Sequence, residues 1–153
     1  MCIRDRPFID KSSLEKLISV FIDDDKKNID LASIMQLITN EREILSPNNV
    51  KVVVDKNNFA MYFSRSIIPF NRSKDKNIKY FKHIGVYAFR KESLLYYYKS
   101  KSTKLEKLEK LEQLRFLENG KKIKMVLTDY EGYGIDVMED LINARKILDE
   151  KTS

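Results

Sequence analysis

Residues 50–65 read VKVVVDKNNFAMYFSR, and this stretch decides the fold class. Residues 50–54 are mostly valine, a β-branched residue that favours strands. A short polar turn at residues 56–58 separates them from a second strand-like run at residues 59–65. Two such runs joined by a polar turn predict a β-hairpin.

Further strands are predicted on both sides of the hairpin. Residues 83–89 and 123–127 have strand-like composition, whereas residues 29–38 fit either a strand or a helix by periodicity. Residues 66–81 form a long polar loop, and long loops in compact domains are often functional.

Helices are predicted between these strands. Asp10 is placed to cap one at its N-terminus, and residues 91–99 form another. A longer helix covers residues 105–119 and ends at Gly120, and Asp136 opens the last one. The order of elements predicts a mixed α/β fold.

Length and composition exclude several classes of protein. The chain has 153 residues, of which 42% are hydrophobic and 34% charged, as expected for one folded domain. Its single cysteine excludes an internal disulfide and a thiolate metal cluster. No apolar run approaches the ~18 residues of a membrane span, and no signal-peptide pattern opens the chain. We therefore expect a cytoplasmic protein.

The basic surplus of the chain is local. Its formal charge is +6, and residues 71–110 alone hold 12 Lys/Arg against 4 Asp/Glu. Such a segment can bind nucleic acid, a membrane surface or a small anion, or can simply solvate the surface. Tyr96, Tyr97 and Tyr98 could stack bases or pack a half-buried helix. No known RNA-binding or zinc-finger signature accompanies them.

Four polar residues stand out as candidates for chemistry. On an uninterrupted helix, Glu112 falls inside the apolar arc of residues 105–116, so it needs an ion-pair partner or faces a pocket. His83 and Tyr87 share one face of their strand, where a histidine is either a packed core residue or a site residue. Asp136 is a helix cap or a ligand. Phosphate-loop, nucleophile-elbow and zinc-protease motifs are absent from the sequence.

Five short blocks occur together in an order that resembles one enzyme family, 3-deoxy-manno-octulosonate (Kdo) cytidylyltransferase. The resemblance runs from about Pro7 to the C-terminal segment. The blocks are NVKVV (49–53), YFSRSIIPF (62–70), HIGVYAFR (83–90), LEQLR (111–115) and GID (134–136).

The resemblance implies a nucleotide-diphospho-sugar transferase fold, with a Rossmann-like mixed sheet. It implies transfer of CMP from CTP to the acidic sugar Kdo with release of pyrophosphate, for lipopolysaccharide biosynthesis, with Mg²⁺ as cofactor and usually in a homodimer. The protein would mainly position the reactants and neutralise their charge.

The resemblance also implies the site residues. The family's sugar-contacting positions fall on Arg65, His83, Tyr87, Glu112 and Gln113, and one metal ligand falls on Asp136. An arginine can pair with the carboxylate of Kdo, and the other side chains offer the donors and acceptors that hydroxyls need. Carboxylate and phosphate oxygens are the ligands that Mg²⁺ prefers.

The sequence also departs from the family pattern. Residues 3–7 read IRDRP where the family has Gln-Gly-Asp-Glu-Pro, so Asp5 aligns with the second metal aspartate among altered neighbours. We expect residues 1–6 to be a non-native leader and residues 7–153 to be the C-terminal portion of a single cytidylyltransferase domain. The family's nucleotide-binding part is then missing, and we expect the chain alone to be inactive.

Two alternatives remain open from the sequence. The same scaffold could serve another acidic or amino-modified sugar. A non-enzymatic module could instead bind nucleic acid through residues 71–110, and its affinity would then fall steeply and linearly with log salt.

Overall fold

The structure is a computed structural model that describes residues 9–22, 24–129, 138, 142 and 145–146. Within that part of the chain, helices and strands are intermixed along the sequence, as in a mixed α/β fold. The elements are α1 Lys11–Ser19, β1 Leu31–Ile38, α2 Glu41–Leu45, β2 Lys51–Val54, β3 Ala60–Ser64, β4 Tyr80–Phe89, α3 Lys91–Lys99, α4 Lys104–Glu109, α5 Leu114–Glu118 and β5 Ile123–Leu127.

The described strands form one mixed sheet in the order β3-β2-β4-β1-β5. β2 is antiparallel to β3 and to β4, and β4 is antiparallel to β1. β1 and β5 are parallel, and the three helices α3–α5 connect β4 to β5. The antiparallel hairpin and the strands at residues 83–89 and 123–127 are confirmed.

The turn of the hairpin is built by Asp55 and Asn58. The Oδ1 atom of Asp55 accepts hydrogen bonds from the backbone N–H groups of Asn57 and Phe59, both at 2.8 Å. Asn58 has a φ of 58°, a left-handed conformation that asparagine tolerates better than most residues. The polar turn therefore fixes the pairing of Val53 with Tyr62 on the two strands.

Most of the ambiguous residues 29–38 form the inner strand β1, which lies between β4 and β5. Its first five residues, Leu31 to Met35, are buried because β4 and β5 flank the strand and helices cover its faces. A strand buried on both faces loses the alternation of apolar and polar residues, which is why periodicity could not assign it.

The two edges of the sheet approach each other at one end. Phe59, just before β3, forms an antiparallel bridge with Lys124 of β5. The backbone N–H of Met125 donates to the carbonyl of Asn58 at 2.8 Å. The sheet is therefore strongly curled.

Two apolar clusters stabilise the sheet on its opposite faces. The larger contains Phe63 and Met35 from the strands and Leu111, Leu114 and Phe116 from the α4–α5 region. The smaller packs α1 against the other face and contains Leu17, Ala32, Ile34, Ile84 and Val126. Burying an apolar side chain of this size contributes about 1.5–3 kcal/mol.

The prediction of one helix over residues 105–119 was wrong. The segment forms α4 and α5, separated at Lys110, which has a left-handed φ of 56°. The leucines at a spacing of three spiral around a helix, so a straight helix could not bury Leu111, Leu114 and Phe116 together. The break turns all three into the core.

The helix caps follow local rules. Asp10 caps α1 as predicted, with its carboxylate accepting from the N–H of Ser13 at 3.0 Å. α2 was not predicted, because it has only five residues and none of them is buried. Asn40 caps it through the N–H of Arg42. Asp136, the predicted start of the last helix, lies outside the described residues, whereas the described residues Met138, Ile142, Arg145 and Lys146 are helical.

Candidate functional site

His83 lies on β4 and is hydrogen-bonded through both ring nitrogens. Its Nε2 atom is 2.8 Å from the hydroxyl of Ser33 on β1, and its Nδ1 atom is 3.3 Å from the side-chain nitrogen of Gln113. The ring packs edge-on against Phe63, with the ring centroids 5.0 Å apart. The imidazole is therefore held in one orientation by three other elements of the fold.

Tyr87 and Gln113 complete this cluster. The hydroxyl of Tyr87 donates to Oε1 of Gln113 at 3.3 Å, and the rings of Tyr87 and His83 are 5.4 Å apart. Gln113 is only 5% exposed and lies in the turn between α4 and α5. The structure thus joins three of the predicted site residues, and the break of the helix at Lys110 precedes the turn that carries Gln113.

Arg65 follows β3 and is tied to backbone groups. Its Nε atom donates to the carbonyl of Glu109 at 2.9 Å, and its Nη1 atom donates to the carbonyl of Pro47 at 3.1 Å. Because carbonyls are neutral, neither contact cancels the positive charge of the guanidinium. Phe63, two residues earlier on β3, contacts the His83 ring.

The carboxylate of Glu109 fixes the backbone before Arg65. Its Oε1 accepts from the hydroxyl of Ser64 at 2.6 Å, and its Oε2 accepts from the N–H of Arg65 at 3.0 Å. Sequence reasoning missed this residue, because it stands among several similar glutamates in the Leu-Glu-Lys repeats of residues 105–112. Only the packing of α4 beside the end of β3 distinguishes it.

Lys51 is a second residue that the sequence reasoning missed. It is fully buried, and its ammonium donates to the carbonyls of Ser46, Asn49 and Arg65 at 2.9, 2.7 and 2.7 Å. Burial, together with the nearby charge of Arg65, lowers the pKa of Lys51. Lys51 therefore ties the 46–49 loop to the backbone of Arg65. A lysine within a run of strand-forming valines was the feature of the sequence that could have indicated a buried lysine here.

Glu112 does not lie in a buried apolar arc. It is exposed in the turn after Lys110. The single helix that would have placed it among apolar residues is broken at Lys110. Its carboxylate lies beside the hydroxyl of Tyr97, and burial together with Glu112 raises the pKa of Tyr97 to about 12. The buried acid of this segment is Glu106, at 8% exposure.

The two predicted metal ligands, Asp5 and Asp136, lie outside the described residues. Within the described ranges, no group of three or more His, Cys, Asp or Glu side chains is placed to hold a metal ion. The same part of the chain contains no helix that is long and apolar enough to cross a membrane.

Part of the basic segment at residues 71–110 is paired internally. Lys82 of β4 pairs with Glu43 at 3.1 Å, and Arg90 pairs with Asp24 at 2.8 Å. Arg90 also donates to the carbonyls of Ile29 and Asp24. Part of the local surplus of charge therefore stabilises loops around the sheet.

Comparisons with known proteins agree with this geometry. The family model described as "Cytidylyltransferase" matches residues 1–123. A 3-deoxy-manno-octulosonate cytidylyltransferase of Flavobacterium johnsoniae is 58% identical over 144 residues, which cover 94% of this chain and 59% of the relative. One from Fusobacterium nucleatum is 46% identical over 90% of this chain and 55% of the relative.

A solved structure has the same fold. It is of a CMP:2-keto-3-deoxy-manno-octonic acid synthetase complexed with CTP, with a TM-score of 0.88 and 32% identity, over 96% of this chain and 59% of that one. The chain spans about three fifths of the length of the curated relatives it matches. The fold and the family expected from the five sequence blocks are confirmed, and the chain belongs to the cytidylyltransferase family.

Proposed function

We propose that this chain serves the transfer of CMP from CTP to Kdo, which forms CMP-Kdo and pyrophosphate, by providing the sugar-binding half of the site. The observation that carries the proposal is the cluster of His83, Tyr87 and Gln113, in which a buried amide joins a phenol to an imidazole. Relatives up to 58% identical carry this activity in their names, and the solved neighbour was complexed with CTP.

The described residues suit the sugar half of such a site. The guanidinium of Arg65 is anchored by neutral carbonyls and is available to pair with the carboxylate of Kdo. The phenol of Tyr87 and the amide of Gln113 can hydrogen-bond sugar hydroxyls, and the exposed carboxylate of Glu112 can accept from one. The backbone bonds of Lys51 and Glu109 hold the Arg65 segment in place.

The reaction requires a hydroxyl of Kdo to attack the α-phosphate of CTP while pyrophosphate leaves. The described residues contribute by holding the sugar, because alignment of the two reactants can supply about 7–11 kcal/mol of the barrier. None of the described residues needs to form a covalent intermediate.

We further propose Mg²⁺ as the cofactor, with Asp136 and Asp5 as its protein ligands. A pair of carboxylates together with substrate phosphates is a typical donor set for Mg²⁺, which neutralises phosphate charge when bound. Exchange of each aspartate for asparagine is expected to weaken Mg²⁺ binding, measured by calorimetry in the presence of CTP. Unchanged binding in both variants contradicts this ligand set, and unchanged binding in the Asp5 variant alone is the result expected if residues 1–6 are a non-native leader.

Homodimer formation is also proposed, by extension from the family resemblance. Light scattering during size-exclusion chromatography measures it directly. A mass of one chain at all concentrations contradicts the proposal.

The test of the sugar site is binding of Kdo to the 153-residue chain by isothermal titration calorimetry. Arg65→Ala is expected to lower the affinity by about 10–100-fold, because a charge-assisted hydrogen bond is worth about 1.5–3 kcal/mol. The matched control is Arg72→Ala, which removes the same charge from an exposed loop position. Equal affinity of the two variants overturns the assignment of Arg65.

The choice of sugar is tested in the same titrations. Kdo is compared with other acidic sugars and with amino-modified sugars. If one of these sugars binds more tightly than Kdo, that sugar is the substrate that the site supports instead of Kdo.

A further inference from the structure

Ser33 is a buried polar residue in the inner strand β1. Its exposure is 0%, and its neighbours Ala32 and Ile34 belong to the core on the other face. Its hydroxyl lies 2.8 Å from the Nε2 atom of His83, 2.8 Å from the carbonyl oxygen of Val86 and 3.3 Å from that of Ile84. A bulge between Ser33 and Ile34 shapes this part of the β1–β4 ladder.

The partners of Ser33 determine the direction of its hydrogen bonds. A serine hydroxyl has one proton, and carbonyl oxygens only accept. The proton therefore goes to a carbonyl, and the geometry favours Val86, at 2.8 Å. The hydroxyl oxygen must then accept from His83, so the proton of the imidazole is on Nε2.

The protonation of Nε2 determines the remaining bonds. In a neutral imidazole the Nδ1 atom is then an acceptor, and it faces the side-chain N–H of Gln113 at 3.3 Å. The other end of that amide, Oε1, accepts from the hydroxyl of Tyr87. The bonds run in one direction, from Tyr87 through Gln113, His83 and Ser33 to the carbonyl of Val86.

We propose that Ser33 is a positioning residue that holds His83 as the neutral tautomer protonated on Nε2. In this way it sets the direction of the whole chain of hydrogen bonds and hence the specificity of the proposed sugar site. A phenol that donates its proton to Gln113 can only accept from a ligand, so Tyr87 is matched to a donating sugar hydroxyl. The link to a sugar rests on the proposed function, whereas the tautomer does not.

The tautomer is measured by nitrogen NMR of the ¹⁵N-labelled 153-residue chain. His83 is the only histidine in the sequence, so a single imidazole is observed without assignment. We expect a protonated Nε2 and an unprotonated Nδ1 in the unmodified chain. A proton on Nδ1, or signals averaged between the two tautomers, overturns the proposal without any variant.

Two substitutions at position 33 test the role of the hydroxyl. Ser33→Ala removes the acceptor of the Nε2 proton, and we expect the nitrogen signals to move towards the tautomer average. Ser33→Thr keeps a hydroxyl and is expected to keep the signals of the unmodified chain. Unmoved signals in a folded Ser33→Ala variant contradict the role of Ser33.

Gln113→Glu tests the direction from the opposite end of the imidazole. A carboxylate has the shape of the amide but cannot donate, so its oxygen facing Nδ1 requires a second proton there. We expect both nitrogens to be protonated at neutral pH. A singly protonated ring in this folded variant shows that the direction of the chain is not as proposed.

Kdo titrations connect the tautomer to the sugar. We expect Ser33→Ala to lower the affinity about tenfold and Ser33→Thr to restore it. If the NMR results are as expected but the unmodified chain binds no Kdo, the proposed function fails while the positioning role stands. If the unmodified chain, Ser33→Ala and Ser33→Thr all bind Kdo with equal affinity, Ser33 has no role in sugar specificity.

Discussion

Arg115 and Glu106 form a buried ion pair across the break between α4 and α5. The Nε atom of Arg115 donates to Oε2 of Glu106 at 2.8 Å, and Nη2 donates to Oε1. The guanidinium lies over the ring of Tyr97, with its central carbon 4.3 Å from the centroid, and that ring stacks on Phe116. Two oppositely charged side chains thus fasten the two helices that support Gln113.

Removal of one partner of this pair is expected to destabilise the chain. Arg115→Met leaves the carboxylate of Glu106 buried without its counter-ion, at an expected cost of about 3 kcal/mol in the free energy of unfolding. The double variant with Glu106→Gln is expected to lose less than the two single losses combined, measured by urea denaturation. The exposed pair Lys11–Glu15 provides the control, since Glu15→Gln is expected to change little. If the loss in the double variant equals the sum of the two single losses, Arg115 and Glu106 are not energetically coupled.

The same pair predicts a loss of stability in acid. The hydrogen bonds and charge of Arg115 hold the pKa of Glu106 below its ordinary value of 4.5. The folded state therefore binds the proton more weakly than the unfolded state, so the stabilisation is complete above about pH 4.5 and is lost as pH falls through the folded pKa. The free energy of unfolding, measured by urea titration from pH 7 to pH 3, is expected to fall more steeply than in Glu106→Gln. If the free energy of unfolding falls equally with pH in the unmodified chain and in Glu106→Gln, the ion pair does not contribute to acid sensitivity.

Lys51→Met is expected to loosen the segment around Arg65. The substitution leaves three partly buried carbonyls without their donor, and we expect a loss of about 3 kcal/mol in stability, since each unsatisfied group in such a position costs about 1 kcal/mol. Hydrogen exchange at residues 46–49 and 65–66 is expected to become faster. Lys82→Met is the matched control on the neighbouring strand, because Lys82 pairs with the partly exposed Glu43. Equal effects of both variants would show that Lys51 has no special role.

Tyr97 is expected to ionise late in an alkaline titration. Burial and the carboxylate of Glu112 raise its pKa to about 12, and an acid whose folded pKa is raised stabilises the fold below its ordinary pKa. That stabilisation is lost as pH rises from about 10 towards 12. Glu112→Gln is expected to lower the pKa of Tyr97 in an NMR titration of ring-labelled tyrosines. An unchanged pKa in that variant shows that Glu112 is not near the phenol.

Local sequence rules predicted the elements whose periodicity is strong. The hairpin, β5 and α3 follow from β-branched runs, turn residues and helical spacing, all of which act within a few residues. The shared face of His83 and Tyr87 follows from the period of two in a strand. The site assignments required the family resemblance, because single residues such as Arg65 carry no local signal.

By itself, the sequence determined the mixed α/β class, the hairpin and the family. Tertiary packing alone decided that residues 105–119 break at Lys110, that Glu106 rather than Glu112 is the buried acid, and that Ser33 meets His83 across 50 residues. The physical reason is that these interactions act over different separations along the chain. Backbone geometry and propensity act between near neighbours, whereas a buried charge or hydroxyl is tolerated only where distant parts of the chain bring its partner.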